Sequence, residues 1–352
     1  MVSDFITAQT LIIAGSLLSV FVFSVIITWL VRRYAIRHAI IDVPNERSSH
    51  TVPTPRGGGL SISLSVLIAV VVLASAGYLP VKFAIGLGGG GLIVSITGWL
   101  DDHKHIPAFW RAFFYLLAAA WFLYWIDGAG MIEIGTVTYH PGMISNLLAI
   151  LGITWLVNLY NFMDGSDGLA AVQAICTGLM AAMLFWISGG HGLAMISLVV
   201  VFASAGFLNW NWPPARIFMG DVGSCLTGFI FAGLAVYGDK SSEVSWVIWF
   251  ILLSVFIMDA TLTLLKRMLT GEQWYSAHRG HAYQRVIQLG VSHSLLAKAV
   301  LLINLCLLWP AACVAWLWHS LSIYMAILVI IIMFVLWSFV QIRYHRLKGT
   351  AS

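Results

Sequence analysis

The chain has 352 residues, 60% of them hydrophobic and only 9% charged, with a net charge of +4 and a mean hydropathy of +0.93. A soluble domain carries roughly 25% charged residues on average, so a soluble globular fold is excluded and lipid must solvate most of this chain. So small a net charge says little about nucleic acid, and no nucleic-acid partner is expected.

A span needs ~20 apolar residues, and eleven stretches approach that length: 9–31, 58–79, 83–100, 108–126, 143–160, 169–188, 191–210, 224–238, 245–264, 295–318 and 320–342. The expected fold class is an all-α integral membrane protein of about 11 transmembrane helices, forming one polytopic unit over 1–352. The first stretch is too long for the core of a cleavable signal and reads as a retained span. "GGGG" at 88–91 falls inside the third, where small residues let helices approach closely. Between the fourth and fifth, "DGAGMIEIGTVTYHPG" alternates in the manner of a small hairpin. Cys176, Cys225, Cys306 and Cys313 sit in apolar stretches without paired spacing, as packing thiols do. No internal repeat of the transporter kind is visible.

Lys and Arg are retained on the cytoplasmic side. With the N-terminus periplasmic and the C-terminus cytoplasmic, all of the 18 except Lys82 and Lys240 fall inside or at inside helix ends. Nearly every unusual polar motif then shares that face. "GWLDDHKH" closes the third span, "NLYNFMDGSDG" the fifth, and "NWNWPPARIFMGDVGS" follows the seventh. "DVPNERSSHTVPTPRGGG" and "SAHRGHAYQR" supply the two long inside loops.

Asp101, Asp102, Asp164, Asp167 and Asp221 are the sharpest signal, because carboxylates near hydrocarbon are costly unless partnered. Each alone would pass as a helix cap or a partner for a nearby Arg. Five on one face point instead to a hard-cation site, since Mg²⁺ takes a few carboxylate oxygens plus water and phosphate oxygens. The glycines of "PRGGG" and "DGSDG" let backbone approach a ligand. Arg56, Arg216, Arg279 and Arg285 are planar forks suited to phosphate. His278 and His281 lack a third zinc ligand and fit better as donors to a diphosphate. Together these residues describe an inside-facing, metal-dependent phosphoryl-transfer site for a soluble phosphorylated ligand and a lipid.

In order and over the whole chain, these motifs resemble the polyprenyl-phosphate N-acetylhexosamine-1-phosphate transferase superfamily, of glycosyltransferase family 4 type. "NLYNFMDGSDGLA" is close to that family's N-x-x-N-x-x-D-G-x-D-G-L-A stretch, and "NWPPARIFMGDVGS" to its N-x-x-P-A-x-x-F-M-G-D-x-G-S stretch. The resemblance implies transfer of sugar phosphate from a UDP-N-acetylhexosamine to undecaprenyl phosphate, releasing UMP, with Mg²⁺ or Mn²⁺. It implies a multi-pass protein of the bacterial inner membrane whose active site faces the cytoplasm, and relatives are often homodimers.

By motif position, Asp221 is the implied metal ligand and Asn211 lies nearby. Asp101 and Asp102 fall beside the metal and lipid phosphate, and Asn161 and Asp164 line the catalytic centre. Asp167 is implied to bond uracil while Phe218 stacks on it. His50 and Arg56 belong to a substrate-binding loop, and Asp259 matches an acidic support position. One departure matters: many relatives carry H-x-H-H in the last large inside loop, where this chain has "AHRGHAYQR". That argues against the peptidoglycan translocase and favours the branch that starts O-antigen and related surface polysaccharides. Phosphate contacts of the missing cluster would pass to Arg279, His281 or Arg285. The competing class is a transporter of phosphorylated or nucleotide-linked sugars, which would place its site near mid-membrane. CDP-alcohol phosphotransferases need a D-G-x-x-A-R-type motif, and "DGSDGLAA" lacks the Arg.

Overall fold

The computed structural model describes residues 2–44, 52–130, 132–134, 137–139, 142–241, 243–273 and 278–349. The helices are α1 (Val2–Arg37), α2 (Leu60–Ser75), α3 (Val81–Lys104), α4 (Ala108–Trp125), α5 (Met143–Phe162), α6 (Leu169–Ile187) and α7 (His191–Asn211). They continue with α8 (Asp221–Lys240), α9 (Trp246–Leu252), α10 (Ser254–Leu269), α11 (Ala282–Gln288), α12 (His293–Ile303), α13 (Trp309–Leu317) and α14 (Ser322–Gly349). Among the described residues nine helices are long and apolar enough to cross a membrane, or ten if α9 and α10 form one broken span. The second expected span appears as α2, only 16 residues long.

α8 forms the centre, with 78% of its most apolar window enclosed, whereas the windows of α1 and α14 are 17% enclosed and lie at the periphery. α5 and α3 pack on α8, α4 on α3, and α6 on α7, which also holds α1. The glycine run works by close approach. A Cβ on Gly89 would stand 2.4 Å from Trp121 Nε1 of α4, and one on Gly90 2.4 Å from Phe229 Cζ of α8. So α3 can lie between its two neighbours only if it is bare there.

The ninth expected span is not straight: α9 and α10 meet at 79°. No Gly or Pro marks the break in "ILLSV", so nothing local predicts it. The Leu252 carbonyl instead accepts from Gln173 Nε2 at 2.8 Å, and Asn304 Nδ2 donates to Gln173 Oε1 at 2.9 Å. Both amides are fully buried. Polar partners of this kind are what a broken helix needs in an apolar interior. Asn304 itself opens a π-helical turn (Asn304–Leu308) ahead of Pro310, whose missing N–H would disturb a regular ladder.

Two antiparallel ladders occur among the described residues. The hairpin expected after α4 is present, β3 (Ile132–Ile134) pairing with β4 (Val137–Tyr139). A second ladder, β1 (Ile41–Asp42) with β2 (Thr54–Pro55), lies between α1 and α2.

Candidate active site

The three polar helix ends and the loops between them meet around a cavity of about 900 Å³. α3 ends on Asp101 and Asp102, and Asp102 reaches the start of α8. Its Oδ1 accepts from the Asp221 N–H (3.0 Å) and its Oδ2 from the Val222 N–H (3.2 Å). α8 has no capping side chain of its own, because Gly220 precedes it. A carboxylate borrowed from α3 thus answers the unpaired amides and the positive end of the helix dipole. Gly220 is required twice over: its φ is +75°, and a Cβ there would lie 2.5 Å from Asp102 Oδ2.

Two guanidiniums thread between the carboxylates. Arg56 donates to Asp102 Oδ1 from Nε (3.0 Å) and Nη2 (2.8 Å), and Arg111 donates to Asp101 Oδ2 at 2.6 Å. Asp221 is held more loosely, 3.3 Å from Arg111 and 4.0 Å from Arg56. Asp101 also accepts from the Ile106 N–H at 2.6 Å. Asp164, in the loop after α5, has no such cation among the described residues. Enclosure by protein, then the negative charges of Asp221 and Asp102, push its carboxyl well above the ordinary range.

The loop 163–168 is stitched to the segment before α8. Asn211 Oδ1 accepts from the Gly168 N–H (2.9 Å) while its Nδ2 donates to the Ile217 carbonyl (3.0 Å). Asp167 Oδ2 accepts from the Ala215 N–H at 2.9 Å. Phe218 is placed by its backbone, its N–H donating to the Pro55 carbonyl (2.8 Å) and its carbonyl accepting from the Gly58 N–H (2.9 Å). Of the glycines of "PRGGG", Gly58 and Gly59 approach chain, a Cβ on them falling 2.8 Å from Phe207 and 2.5 Å from the Gly223 Cα, while one on Gly57 would meet nothing nearer than 3.7 Å.

Of the residues singled out from sequence, Arg56, Asp102, Asn161, Asp164, Asp167, Asn211, Phe218 and Asp221 line the cavity. Asp101 stands behind the lining, on Arg111. His278, Arg279, His281 and Arg285 are not among the lining residues. His281 stacks on His278 (ring centroids 4.8 Å) and lies 3.6 Å from Asp259. Arg285 turns to α14, bonding Gln341 and covering the Tyr344 ring at 4.6 Å. Arg216 sits over Trp210 at 5.9 Å, also away from the lining. His50 lies outside the described residues.

Sequence reasoning does not select His38, Asp42, His103, Lys104, His105, Ser166, Gln284 or His293, all of which line the cavity. The His293 Nδ1 accepts from the Asp167 N–H at 3.2 Å and lies 3.0 Å from Ser166 Oγ. Its position, at the start of α12 and 126 residues from Asp167, carries no local signal.

No cluster of three or more His, Cys, Asp or Glu side chains with ready-made ligating geometry occurs among the described residues. The charge balance nevertheless fits a divalent cation. Among the described residues, the four carboxyls of Asp101, Asp102, Asp164 and Asp221 are matched in ion pairs only by Arg56 and Arg111, and a divalent cation would supply the charge that lets the rest ionise on hard oxygens. Asp221 and Asp164 are the members not tied by a short guanidinium bond.

Residues 84–239 match glycosyl transferase family 4. The chain is 32% identical over 286 residues to a probable undecaprenyl-phosphate N-acetylglucosaminyl 1-phosphate transferase of Bacillus subtilis, covering 79% of this chain and 78% of the relative. It is 32% identical over 312 residues to the decaprenyl-phosphate N-acetylglucosaminephosphotransferase of Mycolicibacterium smegmatis, with 78% and 74% covered. The undecaprenyl-phosphate alpha-N-acetylglucosaminyl 1-phosphate transferase of Escherichia coli K12 is 24% identical over 291 residues, with 80% and 78% covered. With carboxylates from three helix ends gathered around one cavity, the chain belongs to glycosyl transferase family 4, among the polyprenyl-phosphate N-acetylhexosamine-1-phosphate transferases.

Proposed function

We propose that this protein transfers an N-acetylhexosamine 1-phosphate from a UDP-sugar to undecaprenyl phosphate, releasing UMP. The step takes place at the cytoplasmic face of the bacterial inner membrane and opens the assembly of O-antigen or a related surface polysaccharide. In this reading α2 and the bent α9–α10 pair complete eleven spans, with the N-terminus outside. The observation that carries the proposal is the acid-lined cavity at the helix ends, where a lipid headgroup and a soluble nucleotide would meet. A transporter would need its polar site near mid-bilayer, whereas the carboxylates here gather at helix ends.

An oxygen of the lipid phosphate forms the new bond to the β-phosphorus of the donor. The bond from that phosphorus to the bridging oxygen breaks, and UMP departs with the electron pair. No proton need be removed first, because a phosphate monoester is already ionised at neutral pH. A divalent cation, Mg²⁺ or Mn²⁺, held by Asp221 with Asp164, would neutralise charge on the diphosphate oxygens. Arg56 and Arg111 hold the carboxylate frame and add positive charge beside the transferred group. Phe218 offers a face for the uracil ring, and Asp167 an acceptor for its imide N–H.

The named relatives act on N-acetylglucosamine, so UDP-N-acetylglucosamine heads the donor panel. Purified protein with undecaprenyl phosphate, Mg²⁺ and a series of UDP-N-acetyl sugars is expected to release UMP with at least one of them. Vesicle uptake of nucleotide sugar without UMP release would establish the transporter instead.

A further inference from the structure

The two glycines of "MDGSDG" have different reasons to be glycine. Gly168 adopts φ +74° at the N-cap of α6, a conformation side chains disfavour. Gly165 lies outside that region, so its need is for space. A Cβ there would stand 2.1 Å from the Tyr283 hydroxyl oxygen, 3.1 Å from Cζ and 3.4 Å from Cε2.

Tyr283 comes from α11, in a different inside loop. Its hydroxyl donates to the Phe162 carbonyl at 3.0 Å, at the end of α5 where the last carbonyls have no intrahelical partner. The ring is only 5% exposed. What holds the tyrosine at this height is Asp259 of α10. Its Oδ1 accepts from the Ala282 N–H (2.7 Å) and its Oδ2 from the Tyr283 N–H (3.0 Å), where the N-cap His281 offers no side-chain bond. Thr263 Oγ1 donates to the same carboxylate at 3.1 Å. Asp164 therefore sits between two points, Phe162 and Gly165, that both rest on one phenol oxygen.

We propose that Tyr283, fixed by Asp259, is a positioning residue: its hydroxyl fills the place of a Gly165 side chain and sets where the 163–168 loop presents Asp164 to the cavity. The proposal deepens the transferase reading and rests on it for its kinetic test. It also states what a merely apolar wedge would not require, namely that the oxygen, rather than the ring, excludes a side chain at position 165.

The test is a three-variant cycle of Gly165→Ala, Tyr283→Phe and the double variant, in full-length protein assayed with UDP-N-acetylglucosamine and undecaprenyl phosphate. An ångström-scale shift of a site residue costs ~10²-fold in rate, so Gly165→Ala should lower kcat by about that factor. Tyr283→Phe should lower kcat roughly 10-fold while KM for donor stays within ~2-fold, the signature of a lost transition-state arrangement. The double variant frees the 2.1 Å clash and should run within ~3-fold of Tyr283→Phe. Losses that multiply, or a double variant no faster than Gly165→Ala, would overturn the proposal, as would a Tyr283→Phe effect confined to KM. Hydrogen exchange of the 161–169 peptide gives a readout without turnover. It should rise in Gly165→Ala and return in the double variant. If the wild type transferred no sugar phosphate, the functional reading would fall, yet exchange would still decide the pairing. Recovery in the double variant sustains it, and exchange as fast there as in Gly165→Ala alone ends it.

Discussion

The carboxylate frame at the cavity and the loop around residues 278–288 look alike in sequence, each mixing charge, amide and histidine at helix ends. In the fold they do different work. The frame alternates acids with guanidiniums at 2.6 and 2.8 Å and leaves Asp221 and Asp164 facing the cavity. Of the loop's described residues, Gln284 lines the cavity, while His281 and Arg285 turn to Asp259 of α10 and Gln341 of α14. A charge or a histidine at neighbouring helix ends is therefore not by itself a cavity residue.

The sharpest way to break that contrast is at the proposed cation site. Asp221→Asn should cut UMP release by about 10³-fold, beyond recovery by added Mg²⁺, while the protein inserts and folds. Near-normal turnover across a Mg²⁺ titration would remove Asp221 from the site. Asp102→Ala strands Arg56 and uncaps α8, and breaking a buried pair in this way costs about 3–5 kcal/mol. A melting temperature in detergent equal to wild type would refute the framework role. Phe218→Ala should raise KM for UDP-sugar roughly tenfold or more at nearly constant kcat, the scale of one lost base stack; unchanged affinity retires the stacking assignment.

On the loop side the effects are smaller and differ in kind. Burial, then the charges of His281 and Arg267, push His278 down to about 4. A histidine that binds its proton more readily unfolded makes the folded state less stable as pH falls from about 6.5 toward 4. Stability followed over that window should decline less in His278→Gln, and parallel declines would discard this account. Arg285→Gln should change kcat/KM by no more than about threefold, since a residue off the cavity contributes little to transition-state binding. A loss near 10²-fold would return Arg285 to the substrate.

Most of the frame is legible in the sequence because its motifs are contiguous. "NFMDGSDGL" and "FMGDVGS" fix spacing within a single turn, so Asp164, Asp167, Phe218 and Asp221 can be named before any fold is known. Hydropathy locates the helices for the same reason. What stays hidden depends on partners far along the chain. The bend between α9 and α10 is answered by Gln173 and Asn304, and His293 reaches Ser166 across 127 residues. The direction of Arg285 is set by α14, which no spacing in "AHRGHAYQR" encodes.

The shortness of α2 has a consequence for where the two substrates can meet. Sixteen residues rise about 24 Å, less than the ~30 Å of a bilayer's hydrocarbon. Its first turn cannot drift outward to make up the difference, because Gly58 and Gly59 are bonded to Phe218 and Met219. In the eleven-span reading proposed above, thinning of the leaflet beside α2 is one way to relieve such a mismatch. The membrane would then dip toward the cavity rim, so that a prenyl-linked headgroup arrives without being lifted from its lipid neighbours.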